Sequence, residues 1–346
     1  MKIVILKDEL PGSDSKWKLA CDKKNLDYEV VDLATQNWYE KILMLKPDIL
    51  LLKPSGLTTP YKEMFDERLS ILVNEKKLFC YPSLKEVKIY ENKKFFSYWL
   101  KANDIPHPKT FVFYYQREAL QFVEENNQYP IVAKTNIGAS GSGVKIVKDK
   151  ESLVLYIHDT FSGKGSNKRI GPSLKKGKWI KRGLNLILRP KKIRERIEVY
   201  ESRAKDIQKD FVLFQEYIAH EYEWRVVRIG DSYFAHKKML LNEKTSGALL
   251  KTYSAPPLHL LDFVKKITTQ HQLDSVAVDL FEKEDGYLIN EIQCIFGQSD
   301  NYQMKVDDKI GRYIFIDNSW CFEEGNFNDN ENYDLRLEHA INKYKS

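Results

Sequence analysis

The first ninety residues alternate short apolar runs with polar, helix-like stretches, and nothing else in the chain limits its fold as tightly. KIVIL is followed by DSKWKLACDKK, YEVVDL by NWYEKILML, and DILLLKP by a long helical stretch at PYKEMFDERLSILVNEKK before LFCYPS. Apolar runs of strand length separated by segments of helical period specify a parallel sheet with crossover helices on its faces. No GxGxxG follows the first strand, so the dinucleotide fingerprint, and the hydride chemistry it serves, has no support here.

A small Rossmann-like α/β unit is therefore expected over residues 1–90. The chain has 346 residues, more than one compact core holds, so further packed units follow. One helix is expected over LKEVKIYENKKFFSYWLKAND, running into IPHPKTFVFYY, where Pro106 and Pro108 forbid helix and force an extended entry. Next come a helix (REALQFVEENN), a strand (YPIVAKT), a glycine-rich turn (NIGASGSG) and a second strand (VKIVK). The chain then returns to strands at FVLFQEYI, EWRVVRIGDSYFAHKKML, SVAVDLFEK and GYLINEIQ, with a helix at LDFVKKITTQH.

Hydrophobic residues make up 42% and charged residues 30%, the balance of an ordinary globular protein. No apolar run approaches the roughly 20 residues needed to span a bilayer. MKIVILKDEL reads as a first strand rather than a signal peptide, which implies a soluble protein in the cytoplasm. Cys21, Cys80, Cys294 and Cys321 have no paired spacing, which argues against a disulfide framework or a zinc site and for buried thiols.

The formal net charge of +6 is unevenly spread. From Lys164 to Lys209 there are sixteen Lys and Arg against four acids, a local excess of twelve, so the rest of the chain carries −6. This window is expected to hold helices near LKKGKWIKRGLNLIL and KKIRERIEVYESRAKDIQK, broken at Pro190. Trp179, Ile180, Leu184, Leu186, Ile187 and Leu188 interleave with its cations. That pattern fits a solvated helical insertion, and it also fits an anionic lipid surface or an acidic polymer.

The hairpin SVAVDLFEKEDGYLINEIQ sets Asp279, Glu291 and Gln293 into apolar strands. Glu291 and Gln293 share a face by parity. A three-residue loop Glu284-Asp285-Gly286 would pair Lys283 with Tyr287 and bring Asp279 opposite Glu291, whereas a two- or four-residue loop would put them on opposite faces. Two carboxylates about 4 Å apart repel by about 4 kcal/mol at an effective dielectric near 20, so both stay ionised only beside a cation. Oxygen donors without His or Cys suit Mg²⁺, one ion or two; the bland alternative is a strand edge with surface acids. Lys134 closes the run PIVA directly before N-I-G-A-S-G-S-G, so an ammonium stands beside a loop whose N–H groups are free to approach phosphate. It is not a Walker A loop, because no GK[ST] follows.

The succession of a helical Lys, a strand Lys with a glycine loop, FQEYI, Glu223 with Arg225, and D…E-x-Q resembles the ATP-grasp superfamily, which includes D-alanine:D-alanine ligase, glutathione synthetase and ribosomal-protein glutamate ligases. The likeness spans roughly Lys93 to Gln293. It implies an α/β pre-ATP-grasp domain (1–90), a central α+β lobe (91–213) carrying the glycine loop and the basic insertion (164–209), and a C-terminal α+β lobe (214–346) with the metal hairpin and tail.

By matching position, Lys93, with Lys94 as its rival, and Lys134 would bind phosphates, and Gly138, Gly141, Ser142 and Gly143 would close over them. Glu216 and Ile218, with Gln215 nearby, would meet the adenine, and Glu223 the ribose. Arg225 and Lys238 would present cations to the transferring phosphate. Asp279 and Glu291, with Gln293 where the family most often has Asn, would hold Mg²⁺. No role falls to Gln298 or Asp300, and His220 and His236 read as ordinary polar residues.

The implied chemistry is ATP- and Mg²⁺-dependent ligation of a carboxylate to an amine, or to a thiol, through an acyl phosphate. An anionic acceptor overhung by the basic window, such as a lipid- or nucleotide-linked uronic acid in cell-envelope polysaccharide synthesis, would place the protein at the inner face of the membrane. An amino-acid carboxylate is the other substrate considered. The rival readings are an ATP-grasp kinase acting on a hydroxyl and, from another class, a nucleic-acid or anionic-surface binding module built on 164–209; no specific nucleic acid is expected.

Overall fold

The computed structural model describes residues 1–7, 9–10, 12–138, 143–165, 201–241, 244–245, 250–296 and 300–346. Among the described residues three sheets form. The first is parallel, in the order β2-β1-β3-β4, built from β1 (Ile3–Lys7), β2 (Tyr28–Asp32), β3 (Ile49–Leu52) and β4 (Phe79–Tyr81). Its crossovers are α1 (Ser15–Lys23), α2 (Trp38–Leu45) and α3 (Thr59–Ser70), so the opening alternation folds as expected. β1 and β3 are buried on both faces, which is why they read as unbroken apolar runs rather than alternating ones.

The second sheet is antiparallel, in the order β5-β8-β6-β7: β5 (Thr110–Phe113), β6 (Ile131–Lys134), β7 (Val144–Val147) and β8 (Val212–Glu216). Helices α6 (Gln116–Glu125) and α7 (Lys150–Phe161) cover it through a core that includes Ala119, Val123, Leu153, Ile157 and Phe214. Between β7 and β8 lies the basic window. Of its expected helices, near 174–188 and 191–209, everything up to residue 200 lies outside the described residues and 201–205 is helical, and the window's two ends meet: a Cβ on Gly165 would fall 2.1 Å from Ile207 Cγ2.

The third sheet runs β14-β13-β9-β10-β16-β15, with β11 (Lys244–Thr245) and β12 (Lys251–Thr252) on β10 and β17 (Ser319–Glu324) on β16. Its strands are β9 (Tyr222–Ile229), β10 (Ser232–Leu241), β13 (Ser275–Lys283), β14 (Gly286–Gln293), β15 (Lys305–Val306) and β16 (Lys309–Ile316), backed by α8 (Leu258–Gln270).

Several expectations need correction. The helix expected over 84–104 is two, α4 (Leu84–Ile89) and α5 (Lys93–Ala102), broken where Glu91 takes φ of 48°. Phe96 and Leu100 of α5 pack in the core of the third sheet, not the second. The last helix, α9 (Tyr333–Lys345), returns to the first sheet, where Tyr333, Leu337 and Ala340 pack with Ile3, Ile5 and Trp17. Of the four thiols, Cys321 is exposed and the other three are buried. Among the described residues, no helix is long and apolar enough to cross a membrane.

Candidate active site

The acidic hairpin reaches its expected pairing by a different route. β13 and β14 are joined by a two-residue loop, Glu284-Asp285, which pairs Lys283 with Gly286 rather than with Tyr287. Continued without interruption, that register would separate the two acids. A bulge between Asp279 and Leu280 inserts Asn290 as an extra residue, and beyond it Asp279 stands directly opposite Glu291. The bulge therefore replaces the loop length as the device that aligns the acids.

Strand pairing extends that alignment across the sheet. Glu291 faces Asp279, Asp279 faces Arg225, and Arg225 faces His236, a single transverse row over β14, β13, β9 and β10. Beside it, Glu223 is paired with Lys238. Arg225 clamps Asp279 with two bonds, Nε to Oδ1 at 2.7 Å and Nη2 to Oδ2 at 2.8 Å. Lys238 Nζ donates to Asp279 Oδ2 (2.7 Å) and Glu223 Oε2 (2.6 Å). Gln293 Oε1 accepts from Arg225 Nη2 at 3.2 Å.

These contacts split the two acids electrostatically. Burial works against ionising Asp279, but Arg225 and Lys238 outweigh it and hold its carboxyl well below the usual range. Glu291 is pushed up, first by burial and then by the nearby Glu91, despite Lys93. Among the described residues the Glu291 carboxylate makes no hydrogen bond. The cation that keeps Asp279 ionised is thus supplied by the protein, and Glu291 is the acid left wanting one. Burial likewise opposes the charges of Arg225 and Lys238, yet their acidic partners raise both above the ordinary values.

The lysines enter from outside the third sheet. Lys134, at the end of β6, donates from Nζ to Asn290 Oδ1 (3.1 Å), and Asn290 Nδ2 donates in turn to Glu223 Oε1 (2.9 Å). Burial drops Lys134 to about 8, with Lys93 adding to the fall and Glu291 opposing it. Lys93 Nζ donates to Glu91 Oε2 (3.1 Å) and to the Gly138 carbonyl (3.3 Å). Burial would lower it too, but Glu91 and Glu291 carry it above the ordinary lysine value. Lys94, the rival, turns away to lie 4.6 Å from the ring centroid of Phe211 and 5.1 Å from that of Tyr114.

Gly138 has φ of 150° and donates its N–H to Glu91 Oε2 at 3.3 Å. At Gly143 a Cβ would sit 1.7 Å from Thr135 Oγ1, so only glycine fits where the loop closes on β6. Gly141 and Ser142 lie outside the described residues, as does Gln298. In the FQEYI stretch, Gln215 Nε2 donates to Thr110 Oγ1, and the Glu216 N–H is spent on the Lys109 carbonyl. The Ile218 carbonyl accepts from His220 Nδ1 at 2.6 Å.

Three residues escaped the sequence reading. Asn290 links Lys134 to Glu223, a role created by a bulge that no spacing rule announces. Glu91 holds both Lys93 and Gly138; the signal available was an acid two residues ahead of the lysine. His220 buries its Nε2, which has no hydrogen-bond partner among the described residues, 4.0 Å from Glu223 Oε1. His236 is buried and held neutral, pushed down to about 3 by burial and then by Arg225, with Nδ1 donating to the Gln303 carbonyl at 3.0 Å.

No protein-family model and no curated protein matches the chain. Solved structures do. The D-alanine–D-alanine ligase of Bacillus anthracis is 15% identical with a TM-score of 0.57, covering 100% of this chain and 99% of that one. The RimK domain ATP-grasp protein of Sphaerobacter thermophilus is 15% identical with a TM-score of 0.53, covering 86% of this chain and 92% of that one. An N5-carboxyaminoimidazole ribonucleotide synthetase from Thermotoga maritima is 14% identical at 0.53, covering 99% of this chain and 76% of that one. With the likeness to the Bacillus anthracis enzyme running the whole length of the chain, the fold is that of the ATP-grasp proteins.

Proposed function

We propose that the protein is an ATP- and Mg²⁺-dependent ligase that joins a carboxylate to an amine through an acyl phosphate. One observation carries the reading: Lys134 of the second sheet meets Asn290 of the third within a network of four cations and four acids, the buried Lys238, Glu91, Glu223 and Asp279 with the half-buried Lys93, Lys134, Arg225 and Glu291. Such a balanced network, with Gly138 and Gly143 at the two ends of the glycine-rich segment beside it, suits a highly charged substrate better than it suits a structural core. Among similar structures, a biotin carboxylase domain is in complex with MgADP and the Bacillus anthracis ligase with ATP.

The donor set fits a hard cation. Among the described residues Glu291 makes no hydrogen bond, Asp279 keeps one lone pair beyond its three hydrogen bonds, and Gln293 offers an amide oxygen. Bound there, Mg²⁺ would neutralise triphosphate charge. Lys93 and Lys134 would take the phosphates, and Arg225 and Lys238 the charge that develops on the transferring group, exchanging part of their hold on Asp279 for the substrate. Glu223, with His220 beside it, would receive the ribose. Gly138 to Gly143 would close and exclude water, because an acyl phosphate hydrolyses. A uronic-acid or amino-acid carboxylate in cell-envelope polysaccharide synthesis is the substrate class that the basic window favours.

The test is ADP release over a carboxylate library, with and without amines, beside Glu291→Ala. Carboxylate-dependent ADP formation that vanishes in the variant supports the ligase; a phosphate ester as product would replace it with a kinase.

A further inference from the structure

At the returning end of the basic window, the stretch Asp206-Ile207-Gln208 reaches two other parts of the molecule. The Asp206 carboxylate accepts the Thr59 N–H at the start of α3, at 2.9 Å. Gln208 is buried, and both ends of its amide are used. Nε2 donates to the Phe211 carbonyl at 3.2 Å, and Oε1 accepts the backbone N–H of Asn136 at 2.6 Å. An N–H only donates and a carbonyl only accepts, so this is the one orientation of the amide that satisfies both.

Asn136 is the joint that the glutamine holds. Its carbonyl accepts the Lys93 N–H at 3.2 Å, and its Oδ1 accepts the Lys94 N–H at 2.8 Å. These are first-turn donors of α5, which have no partner inside their own helix and must find one elsewhere. Asn92 caps the next one, on Phe95, at 3.2 Å. Two residues after Asn136, the Gly138 carbonyl accepts from Lys93 Nζ at 3.3 Å, and the Gly138 N–H meets Glu91 Oε2. The start of the glycine-rich segment and the start of α5 are thus one hydrogen-bonded unit with Asn136 at its centre.

We propose that Gln208 is a positioning residue for phosphate binding: by holding the Asn136 N–H it fixes where Lys93 and the first residues of the glycine-rich segment stand. The inference rests on the reading of Lys93 as a phosphate ligand, while the geometry assigned to Gln208 does not. Losing the glutamine leaves the Asn136 N–H without its acceptor and frees Asn136 to turn away from α5. The effect is directional. Asp279 is held by Arg225 and Lys238, and β8, which carries Gln215 and Glu216, is paired on both sides, to β5 and β6. A change at 208 therefore disturbs the phosphate side of the site and spares the metal hairpin and the FQEYI stretch.

Gln208→Met keeps the length of the side chain and removes both polar ends. Ligand-observed NMR titrations of the full chain with adenosine, and with AMP-PNP and Mg²⁺, separate the nucleoside from the phosphates. AMP-PNP should bind the variant about fivefold or more weakly, while adenosine affinity changes by less than about twofold. Amide hydrogen exchange without nucleotide reads the geometry directly: the Lys93, Lys94 and Asn136 N–H groups should exchange faster in the variant, and those of β13 and β14 should not. Equal weakening of both ligands, the result of a merely structural role, would overturn the proposal, as would unchanged AMP-PNP affinity or unchanged exchange at Lys93 and Lys94. If the wild type binds no AMP-PNP, the ligase reading falls, and amide exchange alone decides whether Gln208 sets Asn136 and Lys93. Thermal melting checks folding; if Gln208→Met does not fold, Gln208→Asn, one methylene too short to keep both bonds, carries the same comparison.

Discussion

Lys134 Nζ on the second sheet and Asn290 Oδ1 on the third lie 3.1 Å apart, a hydrogen bond between residues 156 positions distant in the chain. Asn290 is the bulged residue of β14, and the bulge that brings Asp279 opposite Glu291 also frees Asn290 to reach across to the lysine. One backbone irregularity thus aligns the acids and ties the two sheets together at the site.

The depressed Lys134 gives binding and stability opposite pH dependences. Phosphate favours the charged amine, so nucleotide affinity should fall as pH rises through about 8. Between that value and the ordinary lysine range the unfolded chain binds more protons than the folded one, so stability of the free protein should rise over the same interval. Lys134→Met should abolish both trends and weaken nucleotide binding about ten- to hundredfold at neutral pH. Isothermal titration and urea melts at several pH values check this.

Asp279 and Glu291 should respond differently to loss of charge. Asp279→Asn takes from Arg225 its carboxylate partner and leaves Lys238 with Glu223 alone, and should cost about 3–5 kcal/mol of stability. Glu291→Gln removes a half-buried carboxylate with no hydrogen-bond partner among the described residues, so stability should hold or rise while Mg²⁺-dependent ADP formation disappears. Because Glu291 is raised in the folded protein, Mg²⁺ dependence should fade on the acid side above the ordinary carboxylate range. Denaturant unfolding beside Mg²⁺ titration separates the two variants.

Lys93 and its neighbour give an internal control. Lys93→Met should lower nucleotide affinity by about tenfold or more, and Lys94→Met should leave it unchanged, since only the former meets Glu91 and Gly138. Equal losses in both would remove the assignment of Lys93.

Gly143→Ala should perturb the loop without touching a charged group. The added methyl would collide with Thr135 Oγ1, whose backbone N–H bonds to the Gly143 carbonyl at 2.8 Å. A destabilisation of about 1–3 kcal/mol is expected by melting, with nucleotide affinity reduced. Combining it with Thr135→Ala should recover part of the loss.

Local chemistry alone determined much of this protein. The unbroken apolar runs of β1 and β3 dictated a doubly covered parallel sheet, because only burial on both faces tolerates them. The strand ending in Lys134 before a glycine loop, and a hairpin carrying Asp279, Glu291 and Gln293, were legible from residue type and spacing. Tertiary structure decided the rest. Loop length alone implied the wrong register, since a bulge depends on how both strands pack and not on the turn. Which acid is held low and which is raised depended on Arg225 and Lys238 arriving from other strands, and which lysine faces the site depended on the chain breaking at Glu91. Register, burial and through-space charge arise between segments far apart in the chain, so local propensity carries no record of them.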